Sequence, residues 1–226
     1  MNYNNIKKGR FLKRPNRFTA QVEIDGKEHI VHVKNTGRCK ELLTQNAEVF
    51  LEKSSNPLRK TQYDLIAVYK GKTLVNMDSQ APNKAVSEWL KAGGILENPT
   101  LIKPETKYGD SRLDFYIENE NEKMYIEVKG VTLEIDGTAK FPDAPTERGR
   151  KHLGELINAK QSGYRSAIIF VVQMKGCSCF MANAKNDPEF ANELKRAYES
   201  GVEIIAADCI VTPESMRIDE RIKVSI

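Results

Sequence analysis

Ser111-Arg-Leu-Asp-Phe-Tyr-Ile117 and Tyr125-Ile-Glu-Val-Lys-Gly130 decide how this chain is read. Both alternate apolar with polar residues, the period of a strand whose side chains point to opposite faces in turn. Leu113, Phe115 and Ile117 then share one face and leave Asp114 on the other. Ile126 and Val128 likewise leave Glu127 and Lys129 together opposite them. A turn at Glu120-Asn121 would join Arg112–Glu118 to Met124–Val131 as a hairpin, so that two carboxylates and an ammonium converge. Charges among apolar residues cost several kcal/mol per buried ion, roughly, unless paired or solvated. A divalent cation changes that balance, because magnesium and manganese prefer carboxylate oxygens and can activate a water beside a phosphate. Asp114 and Glu127 are therefore the expected ligands of Mg2+ or Mn2+, with Lys129 holding the nucleophile or the phosphate oxygens. A simple ion pair of Glu127 with Lys129 or Arg112 accounts for the same residues, and spacing alone does not choose.

Outward from this pair, the chain toward the C-terminus reads as an α/β domain. Ala81-Pro82-Asn83 marks a boundary, with Asn83 expected to cap a helix through Val86, Trp89 and Leu90 that ends at Gly93-Gly94. Glu147 to Gln161 and Pro188 to Ser200 have helical character. Ala167 to Val172 and Val202 to Ala207 read as buried strands, the first a continuous apolar run. The order is helix, three strands, helix, strand, helix, strand, over residues 81–226. In Phe141 to Leu156, Pro142 and Pro145 fix a loop and Thr146 caps the following helix. Arg148, His152 and Glu155 fall on one face of that helix. There Arg148 would meet a phosphate and His152 a proton-transfer path, although a histidine on a helix also serves packing.

Residues 1–80 read differently. Phe18 to Ile24 and His29 to Val33 alternate around Asp25-Gly26, a hairpin signal. Strand-like runs follow at Ala47–Leu51, Asp64–Tyr69 and Thr73–Asn76, with one or two helical turns expected at Cys39–Leu43. Several short strands and one small helix suit a five-stranded oligonucleotide-binding (OB) barrel. Lys7, Lys8, Arg10, Lys13, Arg14 and Arg17 precede the first acidic residue, Glu23, with Phe11 and Phe18 among them. Such a segment can neutralise phosphates while its rings stack on bases. It also suits a solvated edge strand guarded by lysines. Asn35-Thr-Gly-Arg38 offers Arg38 and Lys40 around a tight turn, a phosphate contact or a structural turn.

Composition excludes several classes. Of 226 residues, 40% are hydrophobic and 29% charged, which excludes a disordered chain, and no apolar run is long enough to span a bilayer. Cys39, Cys177, Cys179 and Cys209 form no CxxC pair, so structural zinc is not expected and the thiols read as reduced in the cytoplasm. Net charge is only +4, so the distribution of charge carries the expectation of a DNA partner, with RNA as the alternative. His29 and His32 point to opposite strand faces and earn no metal role.

The strand order, with Asp114 and Glu127-Val-Lys129 on its second and third strands, resembles the PD-(D/E)xK nuclease superfamily, whose usual Pro-Asp reads Leu113-Asp114 here. That resemblance implies a further acidic ligand from the first helix, for which Glu88 is the residue available. Asn35-Thr-Gly-Arg-Cys-Lys-Glu-Leu-Leu43, Ser111-Arg-Leu-Asp-Phe115, Tyr125-Ile-Glu-Val-Lys-Gly-Val-Thr-Leu133 and the Phe141 to Leu156 segment together resemble the sugar fermentation stimulation protein A (SfsA) family. This implies an OB-type barrel followed by a restriction-endonuclease-like domain and a DNA-binding protein, either a nuclease or a non-enzymatic regulator. The family name implies a link to sugar utilisation, but no residue pattern here marks a sugar site.

Overall fold

The computed structural model describes residues 1–226. Its first strands are β1 (Ile6–Asn16), β2 (Thr19–Ile24), β3 (Lys27–Val33), β4 (Glu48–Lys53), β5 (Tyr63–Lys70) and β6 (Thr73–Asn76). Antiparallel pairing joins β1 to β2 and β4, β2 to β3, and β4 to β5. A short parallel pairing of β3 with β5, His32 to Asp64 and Val33 to Leu65, closes the expected five-stranded barrel. Ala20, Val22 and Ile24 point inward with Val31, Val33, Leu51 and Leu65. At the hairpin turn, Asp25 and Gly26 both have positive φ, 50° and 75°, as a type I′ turn demands.

Two expectations change here. The basic segment is no edge strand: β1 pairs on both sides, and only Phe18 of its two rings is exposed while Phe11 is buried. Cys39 to Leu43 forms a single turn rather than a helix, the amides of Leu42 and Leu43 both donating to the Cys39 carbonyl. Leu42 and Leu43 are drawn into the core, and the chain then turns to enter β4.

The second lobe contains α1 (Ala81–Lys91), β7 (Leu101–Tyr108), β8 (Ser111–Glu118), β9 (Lys123–Val131), β10 (Leu133–Ile135), β11 (Thr138–Phe141), α2 (Glu147–Gln161), β12 (Arg165–Val172), β13 (Cys179–Ala182), α3 (Pro188–Glu199), β14 (Glu203–Thr212), β15 (Ser215–Arg221) and β16 (Lys223–Ser225). The main sheet runs β15-β14-β12-β9-β8-β7, with β9, β12 and β14 parallel at its centre. A small sheet, β10-β11-β13-β16, was not anticipated, because strands of three or four residues are too short to show a period. Thr146 caps α2 as expected, its hydroxyl accepting from Gly149 N at 3.0 Å. Asn83 does not cap α1. Gln80 occupies that position, Pro82 sets the first turn, and Asn83 lies inside the helix.

One hydrophobic core runs from Val22, Val31 and Leu65 of the barrel to Leu153, Leu156 and Phe170 of the second lobe, so the lobes are fused. A second core lies between α1 and the opposite sheet face, with Val86, Leu90, Phe115, Ile126 and Val128. Polar groups lock the junction: buried Gln173 donates to the carbonyls of Asn76 (3.1 Å) and Asp78 (3.2 Å). Lys34 Nζ lies 3.0 Å from Asp78 and 3.7 Å from Asp64. No helix is long and apolar enough to cross a membrane.

Candidate active site

β8 and β9 pair from Glu118↔Lys123 to Phe115↔Ile126, and there the ladder stops. The next residue, Asp114, replaces the missing main-chain partner: its Oδ2 accepts from Val128 N at 2.7 Å. On the other side, β7 is irregular opposite Asp114, with Glu105 at φ 48° between the pairs Pro104↔Phe115 and Thr106↔Leu113. Strand alternation therefore breaks at this point. Phe115 and Ile117 pack toward α1, whereas Leu113 joins the core containing Leu153 and Leu156, contrary to the single face expected from the sequence. The break leaves the Asp114 carboxylate at the rim between the two cores. Asn83 donates to its Oδ1 at 2.7 Å from the first turn of α1.

Glu127 points to the α2 side and is only 2% exposed. Its Oε1 accepts from Lys129 Nζ at 2.6 Å and from His152 Nδ1. Its Oε2 is buried with no hydrogen-bond partner. The Nδ1–H of His152 is thus committed to Glu127, leaving Nε2 as an acceptor, 3.4 Å from Arg148 Nε. Burial opposes the charge on Glu127, but the His152 hydrogen bond and the Lys129 ammonium outweigh it and hold the carboxyl below its ordinary range. Asp114 moves the other way: burial, then the neighbouring Glu127, push its carboxyl up despite the two donors. The two carboxyls are thus shifted in opposite directions, and a cation between them would favour the charged form of both.

The structure brings together Asp114, Glu127, Lys129, His152 and Arg148, and excludes Glu88. That carboxylate is 59% exposed and pairs with the Met1 amine at 2.7 Å. Five positions along a helix turn a side chain about 140° from Asn83, so the two cannot serve one site. Glu155 also turns away, toward the β7–β8 turn, where its Oε1 accepts from Asp110 N at 3.3 Å. Sequence reading missed Asn83 as a site residue. Its signal was a polar side chain in a first turn whose neighbours Ala81, Pro82, Ala85 and Val86 are all buried. Another acidic cluster, Asp208, Asp219 and Glu220, is filled by the Lys175 ammonium at 2.7–3.0 Å.

The expected phosphate-binding cations separate into groups. Lys7 pairs with Asp25 (3.4 Å), Lys8 with Glu48 (2.6 Å) and Arg10 with Glu23 (2.8 Å). Arg14 is structural: its guanidinium donates to the carbonyls of Arg17, Asn35, Gly37 and Arg38 at 2.7–2.9 Å, tying two loops together. Gly37 is required there by close approach, since a Cβ would lie 2.6 Å from Asp143 Oδ2. That carboxylate also accepts from Arg38 N at 3.2 Å, joining the barrel loop to the Pro142 loop. Lys13, Arg17, Arg38 and Lys40 are exposed without an acidic partner. The cysteines are unpaired, and burial pushes the Cys39 thiol to about 11 and the Cys209 thiol to about 12, which makes poor nucleophiles.

Two family models match this chain: "SfsA N-terminal OB domain" over residues 12–77 and "Sugar fermentation stimulation protein RE domain" over residues 80–215. A sugar fermentation stimulation protein homolog of Clostridium beijerinckii is 56% identical over 224 residues, covering 99% of both chains. That of Ruminiclostridium cellulolyticum is 52% identical over 226 residues, with complete coverage of both. The solved structure of Pyrococcus furiosus SfsA in complex with Ca2+ superposes with a TM-score of 0.90 at 30% identity, covering 100% of this chain and 98% of that one. An OB barrel fused to an α/β domain with these matches makes the chain a member of the SfsA family.

Proposed function

We propose that this protein binds DNA in the cytoplasm and hydrolyses its phosphodiester bonds at a divalent-metal site formed by Asp114 and Glu127. The supporting observation is the Oε2 atom of Glu127. A buried carboxylate oxygen without a partner is costly, and a cation is the partner that an anionic oxygen beside a second carboxylate lacks. The donor set is all oxygen, which fits Mg2+ or Mn2+. The similar Pyrococcus chain is described with Ca2+, another cation that takes oxygen ligands. A bound ion of this kind supplies an activated water and charge stabilisation on the phosphate.

The chain's own residues prepare that chemistry. Asn83 and the Val128 amide orient Asp114. His152 and Lys129 keep Glu127 ionised, and Arg148 fixes the tautomer of His152 by sitting at its Nε2. The Lys129 ammonium, 15% exposed, is the group at the mouth of the site able to hold a phosphate oxygen or orient the attacking water. His152, with its donor nitrogen engaged, acts in this reading by orienting Glu127 rather than by carrying protons. Arg148, Arg38 and Lys40 meet the phosphates beside the site.

The test is calorimetric titration of Mn2+ into wild type and Asp114→Asn, followed by incubation with labelled single- and double-stranded DNA. Saturable binding lost in the variant, with metal-dependent cleavage by wild type only, is the expected result. Binding of Mn2+ without cleavage of either DNA removes the hydrolase and leaves a DNA-binding regulator. Equal Mn2+ affinity in both proteins removes the metal site.

A further inference from the structure

The β7–β8 hairpin changes character at the level of Asp114. On one side the β8–β9 ladder ends at Phe115↔Ile126, and on the other β7 is interrupted at Glu105. Beyond that level the two strands pair only with each other, through Thr106↔Leu113, Lys107↔Arg112 and Tyr108↔Ser111. The hairpin tip therefore has no strand neighbour in the sheet, and Asp114 stands at its base.

Helix α2 holds the tip instead. Leu113 is fully buried in the core that contains Leu153 and Leu156. Lys151 Nζ donates to the Asp110 carbonyl at 3.2 Å, and the Tyr108 hydroxyl donates to Ser162 Oγ at 3.2 Å. Glu155 sits at the turn itself. Its Oε1 accepts from Asp110 N at 3.3 Å, and a Cβ on Gly109 would lie 2.6 Å from its Oε2. Gly109 also has φ 53°, so backbone conformation and the seated carboxylate both exclude a side chain there. A solvated surface glutamate needs no such fit.

His152 and Glu155 stand three positions apart on one side of α2. Through His152 the helix holds Glu127 of β9, and through Glu155 it holds the turn of the hairpin that carries Asp114. We infer that Glu155 is a positioning residue for the cation site: by fastening the β7–β8 turn to α2, it sets where the Asp114 carboxylate stands relative to Glu127. A tip without a sheet neighbour hinges at its base, and its base is Asp114 and the irregular Glu105. One helix thus sets two carboxylates that belong to different strands. The inference deepens the metal-site reading above and rests on it.

The test compares wild type, Glu155→Gln and Glu155→Ala, with a thermal melt of each to show that it is folded. Hydrogen–deuterium exchange in EDTA, read by mass spectrometry over residues 105–114, reports on the tip without metal. Calorimetric titration of Mn2+ reports on the site. Glu155→Ala should exchange roughly threefold to tenfold faster in the tip, as loss of one hydrogen bond implies, with β12 and β14 unchanged. It should also bind Mn2+ roughly threefold to tenfold more weakly. That is less than the loss of about tenfold to a hundredfold expected when a ligand's own partner is removed. Glu155→Gln keeps an oxygen acceptor for Asp110 N and should stay within about twofold of wild type in both measurements. Both substitutions remove the same negative charge, so equal weakening of Mn2+ binding in the two would overturn positioning in favour of long-range charge. Unchanged tip exchange in Glu155→Ala overturns the fastening, and faster exchange with unchanged Mn2+ affinity overturns the positioning. No Mn2+ binding by wild type removes the metal site and this role with it. The exchange result, taken without metal, distinguishes that failure from a failure of the fastening.

Discussion

Replacing Asn83 with alanine removes one hydrogen bond of 2.7 Å to Asp114 and nothing else of consequence, because the side chain is half-buried at the helix surface. A hydrogen bond to a charged group contributes about 1.5–3 kcal/mol. Asp114 keeps the Val128 amide, and water can reach the vacated oxygen, so the lower part of that range applies. A loss of about 1–2 kcal/mol of Asp114 orientation in the cation-bound state corresponds to roughly a fivefold to thirtyfold weaker Mn2+ affinity. The carboxyl already sits above its ordinary value because of burial and Glu127, so losing a donor pushes it further in the same direction. Calorimetric titration of Mn2+ at pH 7.5 into wild type and Asn83→Ala reads the change, with a thermal melt of each protein to show that both are folded. Asn83→Asp gives a contrasting result: it adds a third carboxylate beside Asp114 and Glu127, lowering apo stability while restoring or raising cation affinity. If Asn83→Ala binds Mn2+ within twofold of wild type, Asp114 is not a ligand, and the role assigned to the α1 turn is wrong.

Other expectations follow from the same geometry. Asp187 caps α3 through Phe190 N (2.9 Å) and also accepts from Thr146 N (2.8 Å). Burial opposes its charge, but these amides and Arg150 prevail and hold it below the ordinary range. Its contribution is therefore complete above the unfolded value of about 3.9 and is lost as pH falls through the lower folded value. Asp187→Ala should cost about 1–2 kcal/mol, a Tm lower by roughly 2–8 °C at pH 7, with the gap narrowing as pH falls below about 4 in melts run across that range. Gly130→Ala would place a Cβ 2.9 Å from Pro82 Cγ and in overlap with Gln173 Oε1, costing about 1–3 kcal/mol by chemical denaturation. Arg14→Ala leaves four loop carbonyls without their donor and should cost about 2–4 kcal/mol. Its effect on DNA binding should appear through the loosened Asn35–Lys40 loop, as weaker binding with nearly the wild-type salt slope, measurable by anisotropy at several salt concentrations.

What the sequence made legible depended on the length of the pattern. Residues 167–172 could be read as a buried strand and 147–161 as a capped helix, because six apolar residues in a row and a full 3.6-residue stripe each admit few other structures. The three- and four-residue strands of the small sheet carry no such signal. The site was legible where strand alternation held, at Glu127 and Lys129, and less so at Asp114, where it broke. Sequence spacing placed Asp114 opposite Phe115, but the structure uses the end of the β8–β9 ladder to give its carboxylate a main-chain donor. A period-two pattern cannot reveal the place where pairing stops, since the residues on either side still alternate.

The basic segment shows a deeper limit. Lys7 to Arg17 looks like one cluster because the residues are adjacent in sequence, but an extended strand of that length spans roughly 30 Å. Its first three cations therefore lie beside Asp25, Glu48 and Glu23, from the β2–β3 turn, β4 and β2, and its Arg14 lies beside the Asn35–Lys40 loop. Adjacency in sequence gives proximity on a helix or in a turn, and distance along a strand. Leu58 is the converse case. Forty residues separate it from Phe18, and nothing in its own neighbourhood of sequence distinguishes it from a loop residue. Only barrel closure, pairing His32 with Asp64, sets the loop that carries Leu58 beside β3. Charge runs in β proteins are thus best assigned to sites after strand register is known.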